Sequence, residues 1–90
     1  MAIGVYFNPA AMNAAAYDEV IRRLAAAGTG KPAGRQYHVC FGNESKLQVF
    51  DVWESQEEFD KFGTTLMPIL QELGVDPGQP AIEPIHNVIA

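Results

Sequence analysis

The stretch "LQVFDVWESQEEFDKF", residues 47 to 62, changes period in its middle, and that change constrains the fold more than any other feature of the chain. Up to Trp53 it reads as a strand. Leu47, Val49, Asp51 and Trp53 would point one way, and Gln48, Phe50 and Val52 the other. From Ser55 the period is helical. Ser55 and Glu58 have the spacing of a capping box, and Phe59, Phe62, Leu66, Ile69, Leu70 and Leu73 form an apolar stripe. A strand with apolar residues on both faces needs cover on both sides.

Residues 2–7, "AIGVYF", are rich in β-formers and stop at Asn8-Pro9, which predicts a first strand with Ile3, Val5 and Phe7 on one face. From about Asn13 to Ala27 the residues Tyr17, Val20, Ile21, Leu24 and Ala25 recur at helical spacing, and Gly28 closes the run. "RQYHVCFG", 35–42, and "KLQVFDVW", 46–53, are joined closely enough to form a hairpin. The second helix carries Pro68 in its interior, which predicts a kink or break there. "AIEPIHNVI", 81–89, reads as a last strand at a sheet edge, because Pro84 cannot donate to a ladder.

The order is β-α-β-β-α-β. Two amphipathic helices packed on one sheet give the ferredoxin-like α+β arrangement with a four-stranded antiparallel sheet, expected here as a single domain over residues 1–90. Two helices cover one face only. Phe50 and Val52 then call for a second cover, and a second copy of the chain supplies it: a homodimer packed sheet to sheet. Size points the same way. A chain of 90 residues buries only about 60–65% of its unfolded surface, and its lone Cys40 cannot form an internal disulfide.

Charge narrows the partners. A net charge of −5 without a Lys/Arg cluster argues against a nucleic-acid partner and an anionic membrane surface. The N-terminus has no basic region ahead of its apolar run, which is broken by Asn8-Pro9. It reads as neither signal peptide nor membrane span, and the expected compartment is the cytoplasm. One Cys and two distant His do not make a zinc site, so no metal is expected.

"LQVFDVWESQEEFDKF", followed by a helix with an internal Pro and the ending "ELGV", resembles the dimeric α/β-barrel superfamily, and within it small proteins similar to antibiotic-biosynthesis monooxygenases. The resemblance implies two sheets packed face to face and a pocket between sheet and helices. It also implies cofactor-free oxidation or isomerisation of a small organic substrate, with an aromatic at the position of Trp53 lining the pocket. The helical His of many such relatives is absent, and Lys61 and Phe62 stand in that region.

Four residues are candidates for the chemistry. Asp51 shares a face with Leu47, Val49 and Trp53, and a carboxylate on an apolar face needs a donor such as Arg35, a solvent opening, or a raised pKa. His38 and His86 are candidate acid/base groups. In the order 4-1-3-2 their strands are opposite edges, about 14 Å apart at ~4.8 Å per strand, so they cannot pair within one subunit. Trp53 is either a core filler with a locally bonded indole N–H or a flat wall for a ligand. The hairpin register decides the face of His38. With Phe41 opposite Lys46, His38 and Cys40 join the Leu47–Trp53 face; with Gly42 opposite Lys46, Tyr37, Val39 and Phe41 do. Cys40, between Val39 and Phe41, reads as a small core residue. Beside the enzyme stand two other readings: a small-molecule binder without chemistry, and a purely structural homodimer.

Overall fold

A computed structural model describes residues 1–89. The elements are β1 (Ile3–Phe7), α1 (Ala14–Ala26), β2 (Arg35–Asn43), β3 (Lys46–Trp53), α2 (Gln56–Glu72) and β4 (Ala81–Pro84). The strands form one antiparallel sheet in the order β2-β3-β1-β4, which is the ferredoxin-like α+β fold. β2 and β4 are the edges.

Both helices start where a side chain can satisfy an orphan N–H. Asn13 accepts from the Ala16 N–H at 2.8 Å, and Ser55 accepts from the Glu58 N–H at 3.2 Å. The Glu58 carboxylate lies 3.6 Å from Lys61 Nζ. α2 continues through Pro68 as one helix, so the element does not break there. The carbonyl deprived of a donor belongs to Thr64, an exposed residue, so water can serve it.

One layer of core joins helices to sheet. Ile3 and Val5 of β1, Val20 and Leu24 of α1, Trp53 of β3, and Phe62 and Leu70 of α2 pack into a single cluster. Ile3 faces Trp53, Val5 faces Asp51 and Phe7 faces Val49, so these side chains share the helix-covered face. The α1 stripe is narrower than its period suggests: Val20 and Leu24 are buried, whereas Ile21 and Ala25 are exposed.

The opposite face carries Tyr37, Val39, Phe41, Phe50 and Val52. Tyr37 is 55% and Phe41 43% exposed, but Val52 is already buried within the subunit. Gly4 explains part of this cover. A Cβ there would lie 3.1 Å from Ile85 Cδ1 and 3.2 Å from Phe50, so the bare backbone lets both side chains close over it.

The last strand is shorter than expected. Pro84 pairs with Ile3 as the final ladder residue, and after one further bond, from the Ile85 N–H to the Ala2 carbonyl at 3.0 Å, the chain leaves the sheet. His86 therefore lies beyond β4 and is exposed.

Candidate active site

The β2–β3 hairpin places Asn43 opposite Lys46, with the Asn43 carboxamide accepting from the Ser45 N–H at 2.9 Å. Neither expected register is the observed one. The true pairing is displaced by two residues from the first, so it keeps that register's faces: His38 lies opposite Asp51 and Cys40 opposite Val49, on the helix side.

Asp51 is 3% exposed, and both its oxygens are satisfied by named donors. His38 Nδ1 lies 2.6 Å from Oδ1, and Trp53 Nε1 donates to Oδ2 at 3.2 Å. The donor to this carboxylate is thus His38 and the indole, not Arg35. With Nδ1–H committed to a carboxylate that only accepts, neutral His38 presents Nε2 as an acceptor, and the Tyr17 hydroxyl donates to it at 2.6 Å. A continuous chain results: Tyr17, His38, Asp51, Trp53.

Tyr17 comes from α1, and its ring lies nearly parallel to the imidazole, with centroids 6.1 Å apart. Burial pushes its phenol up to about 12; the nearby Cys40 and Asp51 add to this and Arg35 opposes it. Tyr17 therefore stays a neutral donor across the physiological range. Burial also raises the Cys40 thiol, which keeps it protonated and unreactive.

A partly open cavity of about 70 Å³ lies over this chain, between the sheet and the two helices. Tyr17, His38, Asp51 and Arg35 are its polar lining; Leu24, Val49, Phe62 and Leu66 are among its apolar walls. That is well below the ~300–1,000 Å³ of sites for drug-sized ligands. Trp53 is not a wall. It is fully buried, packed edge-on to Phe59 at 5.6 Å and against Phe62 at 5.2 Å, and acts on the site through Asp51. His86 does not line the cavity either.

Of the sequence candidates, then, the fold unites His38, Asp51 and Trp53 and leaves His86 outside. It adds Tyr17 and Arg35. Tyr17 belongs to the helical stripe by its ring; the signal in the sequence is that it is the one stripe residue with a polar tip. Arg35 reaches this face because of a bulge. The ladder slips between Arg35 and Tyr37, so Arg35 pairs with Trp53. In a regular strand Arg35, three residues before His38, would point to the opposite side. Its guanidinium sits 5.9 Å from the Phe62 ring centroid and bonds the Gly30 carbonyl at 3.2 Å.

No family model and no curated protein matches the chain. Solved structures do. SnoaB, a cofactor-independent oxygenase from Streptomyces nogalater, superposes with a TM-score of 0.64 at 14% identity over 98% of this chain and 94% of that one. An antibiotic-biosynthesis monooxygenase-like protein from Chloroflexus aurantiacus gives a TM-score of 0.69 at 9% identity over 100% and 98%. The chain has the fold of the antibiotic-biosynthesis monooxygenase-like proteins. A further member of that group, from Caulobacter crescentus, is 21% identical with a TM-score of 0.63 over 98% and 91%. At such identities the monooxygenase-like likeness concerns the fold, and side-chain roles rest on this chain's own geometry. No described helix is long and apolar enough to cross a membrane.

Proposed function

We propose that this protein is a small cofactor-free monooxygenase- or isomerase-like enzyme that takes a proton from a compact organic substrate held between sheet and helices. The observation that carries the reading is the hydrogen-bonded chain Tyr17–His38–Asp51 at the wall of an apolar cavity. The likeness to SnoaB, a cofactor-independent oxygenase, supports the same reaction class.

The roles follow from the bonds. Asp51 holds the Nδ1–H of His38 and stabilises the imidazolium that forms, which leaves Nε2 as the basic atom. The Tyr17 hydroxyl occupies Nε2 at rest. A substrate oxygen entering the cavity draws that hydroxyl to itself, which frees Nε2 to take the substrate's acidic proton. Tyr17 then donates to the enolate oxygen, a role that its neutral phenol suits. The delocalised carbanion has two exits. Reprotonation at another carbon is an isomerisation. Reaction with dioxygen turns a CH2 group and one O2 into a carbonyl and one water, with the substrate supplying all the electrons.

The homodimer belongs to the same proposal. Tyr37 and Phe41 are exposed large apolar residues on the sheet face that the helices leave open, and packing two such faces would build the α/β barrel.

One observation favours a non-catalytic network instead: no buried side-chain polar atom among the described residues lacks a partner, so the chain already satisfies Asp51 without any ligand. His38→Gln decides between the two. The enzyme reading expects turnover of small enolisable substrates, followed by oxygen uptake or product formation, to fall by about 10²–10⁴-fold with the thermal melt retained. Unchanged turnover would leave the network a structural one.

A further inference from the structure

Five of the six basic side chains can be placed by what they touch. Arg22 and Arg23 pair with Glu19, Arg23 also with Glu72, and Lys61 with Glu57 and Glu58. Lys46 donates to the Asn8 carboxamide at 2.8 Å, and Arg35 to the Gly30 carbonyl. Among the described residues Lys31, Lys46 and Arg35 form no ion pair with a carboxylate, in a chain of net charge −5. Lys46 is held by the Asn8 carboxamide, whereas Lys31 and Arg35 line the same place: a shallow outer cleft of about 240 Å³, formed by Lys31, Pro32, Arg35, Gln36, Tyr37 and His38.

The cleft adjoins the inner cavity, since Arg35 and His38 line both. The bulge is the device that creates this arrangement. It turns Arg35 onto the helix side beside His38 and leaves Gln36, an exposed residue without a ladder partner, at the cleft. Two cations without carboxylate partners, brought together by a local break in a strand and set beside an apolar chamber, suit a ligand with a small apolar body and an anionic end.

We infer that Lys31 and Arg35 form an oxyanion subsite that takes the carboxylate of a small organic acid whose apolar part enters the His38 cavity. The inference deepens the function proposed above and rests on the cavity being the substrate site. Arg35 supplies a planar fork that matches a carboxylate, and Lys31 a mobile charge at the rim. The substrate class becomes a compact organic acid with an acidic C–H near its charged end.

Binding is measured on the resting protein by NMR titration with benzoate, benzamide and phenyl phosphate. Benzoate should bind with shifts at Arg35, Gln36 and His38, and benzamide about tenfold or more weakly. Added salt should weaken benzoate and spare benzamide. Lys31→Ala, an exposed loop change, and Arg35→Lys should each reduce benzoate affinity and leave benzamide unaffected. Phenyl phosphate binding more tightly than benzoate would support the oxyanion subsite and assign it to phosphate esters. Equal binding of benzoate and benzamide, or no binding of either anion, would overturn it. The readout needs no turnover. Loss of benzoate binding in Arg35→Lys, with turnover unchanged in His38→Gln, would keep the subsite and refute the catalytic reading; the reverse pattern would do the opposite.

Discussion

Replacing Asp51 tests how the site is held together. The carboxylate accepts from the imidazole of His38 at 2.6 Å and from the indole of Trp53 at 3.2 Å, at a position only 3% exposed. Asp51→Ala strands both donors. Each buried orphan costs about 1–3 kcal/mol, so the loss is roughly 2–6 kcal/mol. Proteins retain about 0.05–0.15 kcal/mol per residue, or roughly 4–13 kcal/mol for a chain of this length, so the variant should be marginal or unfolded. Asp51→Asn is different in kind. Its carbonyl can accept from Trp53 while its NH2 donates to His38 Nδ1, provided that His38 moves its proton to Nε2 and donates to the Tyr17 oxygen. His38, the indole and the new amide each keep a partner, while the Tyr17 O–H is left to turn toward the cavity it lines. The cost falls to about 1–2 kcal/mol for exchanging charged for neutral hydrogen bonds. Denaturant unfolding followed by the fluorescence of Trp53, the single tryptophan, reads both numbers. Nitrogen NMR of His38 reads the tautomer. Equal losses in the two variants, or an unchanged tautomer in Asp51→Asn, would refute the reasoning.

Tyr17 should ionise late on spectrophotometric titration, near its value of about 12. The sign for stability follows: the folded state holds this proton more tightly than the unfolded state, whose value is 10.0, so the contribution is intact below pH 10.0 and is lost as pH rises toward 12. Tyr17→Phe should abolish the late step and leave the fold standing. Gly34→Ala should destabilise by about 1–3 kcal/mol, because its φ is +85° and the new Cβ would lie 2.6 Å from Glu58 Cβ. Gly63→Ala, in α2 with open space around it, should stabilise by up to about 1 kcal/mol in the same denaturation assay. Phe41→Asp on the exposed sheet face should shift sedimentation from dimer toward monomer; a wild-type chain that sediments as a monomer at micromolar concentration would end the sheet-to-sheet proposal.

The elements were legible because period and punctuation agree: alternation in residues 47–53, the Ser55 cap, Gly28 after α1, and the two apolar stripes. Asp51 was legible as a demand, since a carboxylate among Leu47, Val49 and Trp53 must find donors. What supplies them was not, for three physical reasons. The face of His38 turns on a register that slips by single residues, and no local rule of the hairpin fixed it. The bulge at Gln36 reverses the face of Arg35, and bulges leave no compositional trace here. Tyr17 reads as core by its ring, and only the third dimension shows where its hydroxyl goes. The apolar pattern over 81–89 outruns the strand itself, because Ile85, Val88 and Ile89 continue the composition after Pro84 has ended the ladder.

Deuterium exchange tests proton abstraction itself, the step shared by oxidation and isomerisation. Small organic acids and ketones with an acidic C–H are incubated with the protein in D2O without oxygen, and loss of the C–H signal is followed by NMR. The account predicts exchange faster than in buffer for at least the anionic members of the set, and a return to the buffer rate in folded His38→Gln. Exchange at the buffer rate with the wild-type protein, or equal acceleration by the variant, would contradict it.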